Sequence, residues 1–215
     1  MDYLFFVLMG VVALPIVFTF LFIWLYNRNR ARKSAETQNL IQDREILRFI
    51  GSQPDGLISI DQLVEHSKMT RSQARVRLNL LREFGVLEPH YAAGFRAYYS
   101  LAGPLDERPA PKLSPEPFLT VEDMLTLFKH FDFRITPQQL IMSTGLPVTI
   151  LRREMKYFQK QGILQSLTPY GQIGTAESRS YVLMEPYRSN PERFLDQRLD
   201  LDRQMESILR KEDLV

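Results

Sequence analysis

The sequence predicts a mainly α-helical protein with small β-hairpins, an α+β chain. One transmembrane helix leads into two copies of the same small unit and a C-terminal helix. Three observations carry this reading: an uncharged run near the N terminus, a repeat that lays Leu63 onto Leu140, and a charged tail of helical propensity.

The first element is the uncharged run. Residues 3–26 carry no charge, and the seven that follow, NRNRARK, hold four basic groups and no acid. At ~1.5 Å of rise per residue the run reaches about 36 Å, enough to cross a hydrocarbon core of ~30 Å. Trp24 and Tyr26 fall at one end, where amphipathic rings meet headgroups, and Arg28, Arg30, Arg32 and Lys33 follow as a basic flank. The expectation is a retained signal-anchor over residues 1–33, single-pass in the cell (inner or plasma) membrane. The N terminus is then outside and the rest of the chain cytoplasmic. A cleaved signal would carry its charge before a shorter core and end in small residues. Pro15 is tolerable within such a span.

The remaining ~180 residues suffice for two small domains. The chain has no cysteine, which excludes disulfides and thiolate metal sites, and its net charge of +2 gives no global sign of a nucleic-acid partner. Any such sign must be local.

Residues 102–117 hold five prolines and read as an extended linker between globular segments at 36–101 and 118–185. In the first segment Leu40, Ile41, Ile46, Leu47, Phe49 and Ile50 recur with helical spacing, and "GLIS" reads as a short strand. Ser59 with Gln62, and Thr70 with Gln73, are capping boxes opening two further helices, the second closing at Gly85. The second segment repeats the order. Thr120 caps a helix, "RIT" follows, Thr136-Pro137-Gln138-Gln139 opens another, and a third runs to about Gln161 before Gly162. Met69 falls on Leu146, Leu78 on Met155, Leu81 on Phe158 and Gly85 on Gly162. Each glycine precedes an apolar pair and a hairpin whose second strand contains Arg-x-Tyr: Arg96-Ala97-Tyr98 and Arg179-Ser180-Tyr181.

The stretches "MTRSQARVRLNLLREFGVLEP" and "GLPVTILRREMKYFQKQGILQ", each with its hairpin, resemble the winged helix-turn-helix domains of MarR- and ArsR-like DNA-binding regulators. The resemblance covers about residues 40–101 and 118–184. It implies that each third helix is a recognition helix and each hairpin a wing, and that double-stranded DNA is the partner.

The residues agree with that implication. Ala74, Leu78 and Leu81 share a core-facing stripe, leaving Ser72, Gln73, Arg75, Val76 and Asn79 on the opposite side of the helix. Arg and Gln can make bidentate contacts to guanine and adenine edges. The candidate nucleic-acid contacts are therefore Arg71, Ser72, Gln73, Arg75, Arg77, Asn79 and wing residue Arg96. In the second unit they are Thr149, Arg152, Arg153, Lys156 and wing residue Arg179. Ile150 replaces Gln73, so the second helix is less suited to reading bases.

The alternative is a non-catalytic module that assembles proteins at the cytoplasmic face of the membrane with the same helices and wings, including Tyr91 and Phe95. The tail, residues 191–211, either packs back on the second unit or serves a homodimer through its stripe of Phe194, Leu201, Met205 and Ile208. No catalytic or cofactor motif is expected. His66, His90 and His130 are scattered, Gly171 and Gly174 make no phosphate loop, and Glu122-Asp123 suit a helix first turn. The function expected is that of a membrane-tethered transcriptional regulator or chromosome-tethering factor.

Overall fold

The computed structural model describes residues 17–19, 40–94, 96–106, 108–168 and 179–211. They form a mixed α+β structure of helices and two small antiparallel sheets of three strands each. The first unit runs α1 (Asp43–Gly51), β1 (Leu57–Ser59), α2 (Ile60–Ser67), α3 (Arg71–Phe84), β2 (Leu87–Tyr91) and β3 (Ala97–Leu101). The second runs α4 (Val121–His130), β4 (Arg134–Ile135), α5 (Pro137–Thr144), α6 (Val148–Lys160), β5 (Leu164–Leu167) and β6 (Ser180–Leu183), followed by α7 (Arg193–Lys211). The sheet orders match, β1-β3-β2 and β4-β6-β5.

Local chemistry sets most boundaries. The Gln62 amide N–H donates to Ser59 Oγ at 3.2 Å, and the Ser59 N–H donates to Gln62 Oε1 at 2.7 Å, so two orphan donors at the start of α2 satisfy each other's side chains. Thr70 with Gln73 does the same for α3, and Thr136 with Gln139 for α5. At the far end of α3, Gly85 takes φ 89°, a left-handed turn open to glycine at little cost. That turn lets the Val86 N–H reach back to Leu81 O at 3.0 Å and sends the chain into β2.

Helix α6 has no side-chain cap of its own. Pro147 precedes α6 and offers no side-chain acceptor. The Val148 N–H donates instead to Asp43 Oδ2 at 2.8 Å, a carboxylate from the first unit. The same Asp43 accepts from buried Arg77 Nε at 2.6 Å, and Arg77 Nη2 donates to Ile41 O at 3.3 Å. One buried carboxylate thus ties α1, α3 and α6 together. The buried apolar residues of both units make one continuous cluster from Ile41 to Leu209, with the Phe84 and Tyr181 rings 6.4 Å apart across the seam.

The strand register revises the alignment of the two units. Ile58 pairs with Tyr99, and its counterpart Ile135 pairs with Tyr181. Tyr181 therefore corresponds to Tyr99 rather than Tyr98, and both are 4% exposed. Arg179 stands where Ala97 stands, not where Arg96 does. A shift of one residue in a strand moves a side chain to the opposite face, so the shared Arg-x-Tyr is a coincidence of sequence.

The proline-rich linker lies against both units: the Ala102 N–H donates to Val86 O of the first at 2.9 Å, and three bonds reach the second. Gln138 Nε2 donates to Gly103 O at 3.0 Å, Gln139 Nε2 donates to Asp106 Oδ2 at 2.9 Å, and the Ser114 N–H donates to Asp123 Oδ1 at 2.7 Å. Helix α7 packs back on the second unit. Leu201, Met205 and Leu209 are buried, Tyr157 Oη donates to Gln204 Oε1 at 2.8 Å, and the Val121 N–H donates to Asp202 Oδ1 at 3.0 Å.

The expected membrane span requires correction. Among the described residues no helix is long and apolar enough to cross a membrane. Residues 17–19 are helical but cover about 4.5 Å, and α7, 19 residues long, carries nine charged side chains. The remainder of 3–26, with Trp24, Tyr26, Arg28, Arg30, Arg32 and Lys33, lies outside the described residues. The single-pass localisation, N terminus outside and later domains cytoplasmic, is overturned on this finding and goes no further.

Candidate nucleic-acid interface

Helix α3 is held by one face. Ala74, Leu78 and Leu81 are fully buried, which fixes its rotation and turns a second stripe outward. That stripe holds Arg71, Arg75, Asn79 and Arg82, each about one turn beyond the last. The β2–β3 hairpin rises beside it and contributes Tyr91, Arg96, Ala97, Tyr98 and Tyr99, while Ser59, Ile60 and Asp61 close one end. Between helix and hairpin lies an open groove of about 650 Å³.

The charge of this groove is strongly one-sided. Four arginines face a single carboxylate, so its walls carry +3 (four minus one) in a chain whose total is +2. Arg71 Nη2 meets Asp61 Oδ2 at 3.2 Å, but both side chains are about two-thirds exposed, and such a pair contributes little. Arg75, Arg82 and Arg96 have no carboxylate partner among the described residues. Burial pushes the Tyr99 hydroxyl pKa up, and the neighbouring Arg82 and Arg75 guanidiniums pull it the other way. Guanidinium groups held with open donors suit oxyanions that accept two parallel hydrogen bonds, carboxylate and phosphate. Tyr91, 65% exposed at the hairpin, adds an aromatic face beside them.

The other expected contacts fall elsewhere. Arg77 is 1% exposed and belongs to the Asp43 ion pair, so it cannot reach a ligand. Gln73 spends its side-chain oxygen on the Thr70 N–H and hydroxyl, which removes it as a free reader of adenine. Ser72 is exposed at the start of α3.

In the second unit Arg152 Nη1 meets Glu83 Oε2 at 2.8 Å, and Arg179 Nη1 donates to Glu83 O at 3.3 Å, so both cations turn onto the first unit. Arg153 and Thr149 are half-buried, and Lys156 is exposed on α6 and lines neither the α3 groove nor the gap beside the linker. Phe95 and the 171–174 tip lie outside the described residues. Two features were missed in the sequence: Arg82 as a groove cation, although it follows Arg75 at helical spacing, and the Ser59–Asp61 end wall, which only tertiary folding brings to the hairpin.

Comparison with family models, with curated proteins and with solved structures finds no match.

Proposed function

We propose that the chain is a non-catalytic, double-stranded-DNA-binding protein built of tandem winged helices, acting as a transcriptional regulator or chromosome-associated factor, with the first unit as its reading surface. The observation that carries this is the stripe of Arg71, Arg75 and Arg82 facing Arg96 across an open groove. The order helix, strand, helix, helix, hairpin, with the first strand completing the sheet, supports the winged-helix reading. In it, the N-terminal turns of α3 (Arg71, Ser72, Arg75) address base edges in a major groove, while Arg82 and Arg96 hold phosphates.

A mobility shift with full-length protein and mixed-sequence duplex at low salt tests the proposal. Retardation is expected, and Arg75→Ala weakens it by about 1–3 kcal/mol if the side chain reads a base. Absence of any shift at low salt would defeat the reading.

A further inference from the structure

We infer that each chain reads DNA at one place only, a single contiguous half-site under the first unit, because the equivalent face of the second unit is filled by the chain itself. The inference rests on the DNA reading above and adds its stoichiometry and footprint.

In α6 other residues take the places of the α3 stripe. Val148 stands at the position of Arg71, and it is 1% exposed with its N–H on Asp43. Ile150 stands at that of Gln73 and is 5% exposed. Arg152 stands at that of Arg75 and is held by Glu83. Reading helices contact bases with their N-terminal residues, and in α6 that face is against the first unit.

The end wall of the groove is covered as well. Thr136–Gln138 correspond to Ser59–Asp61, which close one end of the first unit's groove, and against them lie Gly85 and the linker residues Ala102–Asp106 with Arg108. Gln138 and Gln139 bond this strap at Gly103 O and Asp106 Oδ2. Asp106 also takes two charge-assisted bonds from Arg108, which hold its carboxyl well below the usual range. A carboxylate of the chain, Glu83, thus stands on Arg152 where a base edge is proposed to meet Arg75 on the first unit. A gap of about 550 Å³ remains under the strap, bordered by Arg179, whose guanidinium is bonded to Glu83 O.

A chain with two working readers would favour paired half-sites about 34–36 Å apart, whereas one reader saturates on a duplex of roughly one turn. Full-length protein is titrated with duplexes of about 12 and about 30 base pairs at low salt, following anisotropy and stoichiometry, beside Arg75→Gln and Lys156→Gln. Both substitutions neutralise one exposed cation on a third helix, so generic charge loss is matched. The expected result is one short duplex per chain, an affinity loss of about tenfold for R75Q, and less than about twofold for K156Q. Comparable losses from both variants, or two short duplexes per chain, would overturn the inference and leave the DNA reading standing. No loss from R75Q while the wild type binds would also overturn it. Failure of the wild type to bind either duplex would sink the DNA reading, and this inference with it.

Discussion

At the scale of single residues, Arg75 and Arg77 show how two identical side chains, two positions apart, take opposite roles. Arg75 is exposed at the groove, while Arg77 is one turn from Ala74 and from Leu81 and shares their buried face. That spacing was legible in the sequence, but an arginine at a core position reads as buried only when its counter-ion is known. Asp43, 34 residues away, is supplied by the fold. Removing one member of a buried pair strands the other, so Arg77→Ala should cost about 3–5 kcal/mol in denaturant unfolding. A loss under about 1 kcal/mol would contradict the assignment. Glu154 is another buried ionisable residue. It is fully buried, Oε1 accepts the Leu119 N–H at 2.6 Å, and Oε2 has no partner. Burial pushes its carboxyl up to about 8, with Asp123 nearby adding to the rise against the Leu119 bond. From the ordinary carboxylate range to about pH 8 the folded chain keeps a proton that the unfolded chain has lost. Stability is therefore fully present at low pH and falls as pH rises, by up to about 1.4 kcal/mol per unit, flattening above the folded value. Glu154→Gln should flatten that fall in a pH series of thermal melts; parallel profiles for the two proteins would contradict it.

At the scale of elements, the sequence showed its helices wherever their stop and start signals were local. Ser59/Gln62, Thr70/Gln73 and Thr136/Gln139 each mark a first turn, and Gly85 and Gly162 mark ends at φ 89° and 69°. It did not show the caps that come from afar, Asp43 on α6 and Asp202 on α4, because no spacing rule links residues 105 or 81 positions apart. The tail was undecided between docking and dimerisation for the same reason: its apolar stripe fits either partner. Folded, Leu201, Met205 and Leu209 are spent against the second unit. Met205→Ala, at 1% exposure, should then lower the unfolding free energy by about 2–5 kcal/mol through the cavity it leaves, without changing the mass in solution. A loss of dimer mass with unchanged stability would point to an interface instead.

At the scale of the whole molecule, the two repeats are alike in topology and unlike in what their third helices face. The repeat was plain in sequence, but its symmetry misled at the contact residues. Both helices carry a local charge of +3, yet α6 sets Arg152 against Glu83 while α3 leaves Arg75 and Arg82 open to a groove. Hydropathy alone likewise pointed to a span that no described helix provides. Among the described residues, both units share a core, and the groove on the first holds Arg75, Arg82 and Arg96 without a carboxylate partner. The dependence of duplex affinity on salt counts the phosphates such a patch neutralises. With Arg82 and Arg96 on phosphates, log K against log salt should fall with a slope of about −2, and Arg96→Gln should bring it to about −1. No measurable binding at low salt, or a slope that Arg96→Gln leaves unchanged, would contradict the assignment of this groove.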